Sequence, residues 1–176
     1  MTQYVALLRG INVGGKHVVP MQELRDMLAA LGCESVQTYI QSGNAVFVSD
    51  DTASDISGSL QAAILQRFGF EPQVLVLTAA RFREIAQANP YADKDADPRS
   101  LHVWFLTDAP GTPQLDALEA VKASNEQFEL REDAFYLYAP DGIGRSRLAS
   151  KTDRCLGVAT TARNWRTVTK LLQLLA

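Results

Sequence analysis

What most constrains this chain is the order in which strand-type and helix-type hydrophobic patterns follow one another. Residues 4–8 (YVALL) form an uninterrupted apolar run closed by Arg9, the length of a short strand. After a loop holding Gly10, Gly14 and Gly15, Pro20 opens a segment in which Met21, Leu24, Met27, Leu28 and Leu31 recur at helical spacing. Gly32 offers the left-handed stop that ends helices. Residues 36–40 and 45–48 are β-branched and apolar on either side of the turn signal Ser42-Gly43-Asn44, which reads as a hairpin. Ile56, Leu60, Ala63, Ile64 and Phe68 then repeat with a helical period between the cap candidates Thr52 and Ser54 and a closing Gly69. Residues 74–77 return to strand character.

The order over residues 3–77 is therefore βαββαβ, the split βαβ arrangement of ferredoxin-like domains. A helix over 81–88 stops at Asn89-Pro90, and the polar residues 93–99 read as an exposed hinge. Beyond it the same grammar returns: strand 101–106, helix 115–123, strands 128–131 and 135–138 about the turn Glu132-Asp133, and then helices. The expectation is an α+β protein with a ferredoxin-like βαββαβ half over residues 1–90. A second, related βαββα half with C-terminal helices follows over residues 100–176, packed with the first and lacking the last strand of the motif. Strands apolar at consecutive positions, at 5–8, 46–48 and 74–77, predict a sheet covered on both faces, by the second half or by a second copy of the chain.

A chain of 176 residues, 47% of them hydrophobic, can bury such a core without disulfide staples. Cys33 and Cys155 lie far apart and outside any CxxC pair, so they offer neither a zinc knuckle nor a thioredoxin-type motif and read as buried thiols. The only histidines, His17 and His102, stand in no HxH or HExxH pattern, and neither a metal nor a cofactor is predicted. The N-terminal residues lack the basic and apolar regions of a secretory signal, and no apolar run reaches membrane-spanning length, so a cytoplasmic location is expected.

Gly10-Ile11-Asn12-Val13-Gly14-Gly15-Lys16 spells GxxxxGK directly after a strand, as phosphate-binding loops do. His17 stands where Ser or Thr would hold magnesium, and Val18-Val19-Pro20 delays the helix, so nucleotide hydrolysis is set aside. A weaker role survives, in which Arg9 and Lys16 on a glycine-rich loop accept a carboxylate or phosphate. Topology adds partners. In a βαββαβ sheet the loop leaving the first strand and the hairpin joining the second and third lie at one edge, which places Arg9, Asn12 and Lys16 near Gln41, Ser42 and Asn44. The competing reading makes these residues turn formers with solvated charges. Asp141-Gly142-Ile143-Gly144-Arg145-Ser146 is a second glycine-bearing approach to a helix, with Ser146 able to cap it, and it lacks the dinucleotide fingerprint.

The net charge is −3, yet from Gly142 onward seven basic residues stand against Asp153 alone. Arg147, Lys151 and Arg154 share helical spacing, with Arg163, Arg166 and Lys170 as a second stripe, the footprint of a sequence-tolerant nucleic-acid binder or of a solvated helix face. Trp104 and Trp165 fall in apolar patterns and are expected in the core. Trp165 shares its helical face with Val168, Leu171, Leu172 and Leu175.

LLRGINVGGK at 7–16, YIQSGNAVF at 39–47, Asn89-Pro90 followed by HVWFL at 102–106, and ATTARNWRTVTKL at 159–171 resemble, in order, the bacterial domain of unknown function 1697 family. The resemblance runs from about residue 3 to the C-terminus and implies a ferredoxin-like α+β organisation. It transfers no catalytic residue, so whether the chain is an enzyme stays open. It does mark Arg9, Gly10, Asn12, Gly14, Gly15 and Lys16, then Gln41, Ser42, Gly43 and Asn44, then Arg163, Asn164 and Trp165, as lying in signature segments. Ala45 stands where the family often has valine. Three readings follow: a protein binding a small anionic ligand at the loop and hairpin edge, a nucleic-acid binder through the basic C-terminal helices, and a protein-interaction module without catalytic activity. No membrane partner is expected, and a homo-oligomer is compatible with the sequence.

Overall fold

The computed structural model describes residues 1–94 and 97–176, so two residues of the expected 93–99 hinge, Asp95 and Ala96, lie outside the described residues. The chain forms two compact units, Met1–Glu84 with Thr169–Ala176, and Ile85–Val168. In the first unit, strands β1 (Thr2–Arg9), β2 (Glu34–Tyr39), β3 (Asn44–Ser49) and β4 (Gln73–Thr78) form an antiparallel sheet in the order β2-β3-β1-β4. Helices α1 (Met21–Ala30) and α2 (Ala53–Phe68) follow β1 and β3. The alternation of side chains along β1 sends Tyr4, Ala6 and Leu8 into one core with Leu24 and Leu28 of α1 and Ile56, Leu60 and Ile64 of α2.

Val5 and Leu7, on the other face of β1, are also fully buried within the single chain, so no second copy is needed to cover them. On that side Arg83, in α3 (Ala79–Gln87), donates to the Leu175 carbonyl at 2.7 Å and to Gln3 at 3.4 Å. The ends of α2 follow local chemistry. The Thr52 hydroxyl accepts the Asp55 N–H at 3.2 Å, and Gly69 closes the helix at φ 79°.

The second unit repeats the arrangement. Strands β5 (Leu101–Leu106), β6 (Gln127–Arg131), β7 (Ala134–Tyr138) and β8 (Thr160–Asn164) are antiparallel in the order β6-β7-β5-β8, with α4 (Leu115–Val121) after β5 and α5 (Arg147–Leu156) after β7. The motif is complete, because Thr160–Asn164, expected to lead only into helices, is its last strand. Trp104, Leu106, Phe135 and Leu137 build a core with Leu118 of α4 and Leu148 and Leu156 of α5. Trp104 meets Phe135 edge-on at 5.6 Å.

The final helix α6 (Trp165–Leu174) buries Val168 and Leu171, with Leu175 just beyond it also buried. Trp165 and Leu172 are only half-buried. The expected apolar face exists, but the indole sits at its first turn, where the face has not yet closed over it. Cys33 and Cys155 are buried and unpaired with each other, and no helix among the described residues is long and apolar enough to cross a membrane.

Candidate anion-binding edge, basic helix and cleft

The loop leaving β1 lies against the turn joining β2 and β3. Leu7 faces Asn44 in the strand register, and the Leu8 N–H donates to the Gly43 carbonyl at 2.8 Å. Gly43 has φ 88°, and a Cβ there would lie 2.7 Å from Leu8 Cβ and 2.8 Å from Ile11 Cδ1, so the approach requires glycine. Asn12 ties the two segments. Its Nδ2 donates to the Gln41 carbonyl at 2.7 Å and to the Val19 carbonyl at 3.0 Å, while its Oδ1 accepts the Val19 N–H at 2.8 Å.

The sequence-predicted residues divide by role at this edge. Arg9, Lys16, Gln41 and Ser42 are exposed. Asn12 is half-buried with its amide spent on backbone groups, and Asn44 is fully buried, its Nδ2 donating to the Tyr39 carbonyl and to Ser42 Oγ at 2.9 Å each. The two asparagines build the edge, and the other four present it. Within the loop, the Asn12 N–H donates to the His17 carbonyl and the Lys16 N–H to the Val13 carbonyl, both at 3.0 Å. These two amides serve the loop's own bridge, unlike the open amides of a phosphate-binding loop, and α1 starts only at Met21. His17 stacks on Phe70 with ring centres 4.3 Å apart.

Two features of the edge escaped the sequence reading. Asn12, His17 and Ile40 hold φ of 54°, 52° and 48°, the left-handed region that a β-branched residue such as Ile40 rarely enters. Val13, Val18 and Ile40 are exposed apolar side chains, at 66%, 54% and 48%. Apolar residues inside a glycine-rich loop were the available signal.

In the second unit, Arg147, Lys151 and Arg154 are exposed on α5, opposite its buried Leu148, Thr152, Cys155 and Leu156. The expected second stripe is not continuous. Arg163 belongs to β8, is half-buried and donates to the Ala162 carbonyl at 2.9 Å. Burial pulls its guanidinium down to about 10, still cationic at neutral pH. Arg166 is exposed and Lys170 half-buried on α6.

At the start of α5, a cleft of about 690 Å³ opens among Ala123, Asn125, Glu126, Asp141, Gly142, Gly144, Arg145, Ser146 and Arg147. Ser146 caps the helix by accepting the Ala149 N–H at 3.0 Å. Its hydroxyl donates to the carboxylate of Glu126, a residue 5% exposed whose other oxygen accepts the Ala123 N–H at 2.8 Å. The cap was legible in the sequence. The cleft was not, since Glu126 reads there as one more polar turn residue. His102 lies in β5, 7% exposed, and its Nδ1 has no partner among the described residues. Burial lowers its pKa to about 4, which keeps the ring neutral at pH 7. Among the described residues no group of three His, Cys, Asp or Glu side chains could hold a metal ion.

A family model described as Protein of unknown function (DUF1697) matches residues 1–136. Among solved structures, the conserved bacterial protein SP0830 from Streptococcus pneumoniae is 30% identical, with 99% of each chain covered and a TM-score of 0.74. No curated protein matches the chain.

Proposed function

The chain belongs to the DUF1697 family of proteins of unknown function, and we propose that it binds an anionic ligand at the edge where the loop after β1 meets the β2–β3 turn. The observation that carries this reading is the Asn12 side chain, whose three hydrogen bonds hold a cationic loop against a polar turn. Left-handed residues other than glycine cost on the order of 1–3 kcal/mol each and persist only where surrounding bonds over-determine them. Asn12, His17 and Ile40 gather such strain in one place. The fixed loop and turn present Lys16 and Arg9 for charge-assisted bonds to an oxyanion, and Gln41 and Ser42 for neutral ones. The exposed Val13, Val18 and Ile40 suit a ligand that carries an apolar part beside its anionic group.

A thermal-shift screen of carboxylated and phosphorylated compounds tests this directly, since a ligand at 100 times its Kd adds about 2.7 kcal/mol of stability. Lys16→Ala is expected to abolish the shift while leaving the ligand-free midpoint in place. A screen without hits, or a shift insensitive to Lys16→Ala, ends the reading.

The exposed triplet Arg147, Lys151 and Arg154 favours a second reading, a nucleic-acid surface confined to α5. Oligonucleotide binding at ~50 mM salt that weakens steeply as salt rises supports it, and undetectable binding at that salt removes it.

A further inference from the structure

The cleft at the start of α5 lies within the second unit and shares no residue with the edge of the first. Its volume, about 690 Å³, falls in the range of small-ligand sites. Its polar lining has two characters. Arg145 and Arg147 are exposed, and among the described residues neither guanidinium has an acceptor. By contrast, Arg99 and Arg131 hold carboxylates at 2.6 and 2.7 Å. The carboxylates of Glu126 and Asp141 are acceptors only. Each Glu126 oxygen takes one protein donor, from Ala123 N–H and from Ser146 O–H, and each retains room for another. Asp141 likewise receives one bond, from Asn125 Nδ2 at 3.0 Å.

Two guanidinium groups flanking one serine match a dianion better than a single carboxylate, because their forked donors and double charge are satisfied together by a phosphate. Carboxylates with spare lone pairs call for O–H donors and repel a second anionic group. We propose that this cleft binds a phosphorylated polyhydroxy compound, its phosphate on Arg145 and Arg147 and its hydroxyls on Glu126 and Asp141.

Isothermal titration of the full chain with ribose 5-phosphate, ribose and inorganic phosphate tests the assignment. Ribose 5-phosphate is expected to bind at one site per chain and at least about tenfold more tightly than either fragment, because one molecule engages both sets of groups. Arg145→Gln and Arg147→Gln should each weaken it by about tenfold or more. Asp141→Asn should weaken ribose 5-phosphate while leaving inorganic phosphate unchanged. Unfolding midpoints confirm that these exposed substitutions leave the protein folded. The Lys16→Ala variant should bind as the parent does, which separates this site from the edge of the first unit. Three results would overturn the assignment: no saturation by ribose 5-phosphate at ~10 mM, where even a millimolar site would fill; equal affinity for ribose 5-phosphate and phosphate; or an equal loss on Lys151→Gln, which moves the contact out of the cleft onto the face of α5.

Discussion

The two units repeat one strand order in two separate sheets and differ in where they spend their irregular chain. Leu8 donates to the Gly43 carbonyl in the first, and Leu106 donates to the Asp133 carbonyl in the second, at 2.8 and 3.0 Å, so the end of the central strand meets the hairpin turn in the same way. In the first unit the long connection, residues 10–20, follows β1 and meets the hairpin turn, while β3 reaches α2 in three residues, 50–52. In the second unit β5 reaches α4 through residues 107–114 and β7 reaches α5 through the equally long 139–146, while the turn between β6 and β7 is only Glu132-Asp133. Since β1 and β3 run antiparallel, as do β5 and β7, the first unit has its long connection at one end of its sheet and the second has long connections at both. The sheet dictates where a connection can emerge, and the residues spent there decide which end can bind anything.

The sharpest way to break the comparison is at the two hairpin turns. Gly43→Val forces a Cβ into Leu8 and Ile11 at φ 88° and should cost about 4 kcal/mol in urea unfolding, whereas Glu132→Ala in the equivalent turn should stay within about 0.5 kcal/mol. Similar costs at both turns would remove the distinction.

The next contrast pairs Tyr4 with His102, which the matching registers place at equivalent positions. The Tyr4 hydroxyl donates to the Asp51 carbonyl at 2.9 Å, and His102 Nδ1 has no partner among the described residues. The folded His102 pKa, about 4, lies below its ordinary 6.5, so the unfolded chain binds the extra proton between those values. The stability this ring contributes is complete above pH 6.5 and is lost as pH falls towards 4, by about 3 kcal/mol. His102→Leu should flatten that part of the acid limb relative to the parent, and an unchanged difference between pH 7 and pH 4.5 would show that the ring is not held neutral.

The two helix caps offer a smaller test. Thr52→Ala removes an exposed cap and should cost about 1 kcal/mol, while Ser146→Ala also takes a donor from the buried Glu126 carboxylate and should cost about 2 kcal/mol. Smallest of all, Lys16→Ala and Arg147→Gln should each shift the unfolding midpoint by no more than about 0.5 kcal/mol, since exposed charges contribute little to folding.

Much of this fold was legible because the central strands bury consecutive apolar residues and the helices repeat theirs every three or four. The strand β8 was not. Thr160, Thr161, Ala162, Arg163 and Asn164 carry no apolar run, and β8 is an edge strand defined by its pairing with β5. Trp165 looked like a core anchor because periodicity gives a direction around a helix and says nothing of depth at its first turn. At the candidate edge, the adjacency of loop and turn followed from strand direction. The separation of Asn12 and Asn44 from the exposed Lys16 and Ser42 did not, because all but one of their side-chain partners described above are backbone groups, which no residue letter records. The cleft was hidden for a related reason: the buried Glu126 is bonded by Ser146, 20 residues later in the chain.

The first unit is interrupted in the chain, with residues 169–176 separated from Glu84 by the whole of the second unit. Ribosomes add about 5–20 residues per second, so about 5 to 18 s pass between the emergence of Arg83 and that of Leu175, whose carbonyl it holds. During that interval the β1 face bearing Gln3 lacks a cover it has when complete. Nascent chains stalled before residue 169 should therefore be digested by protease within residues 1–84 more readily than chains released at full length. The order of synthesis makes the second unit the first to close.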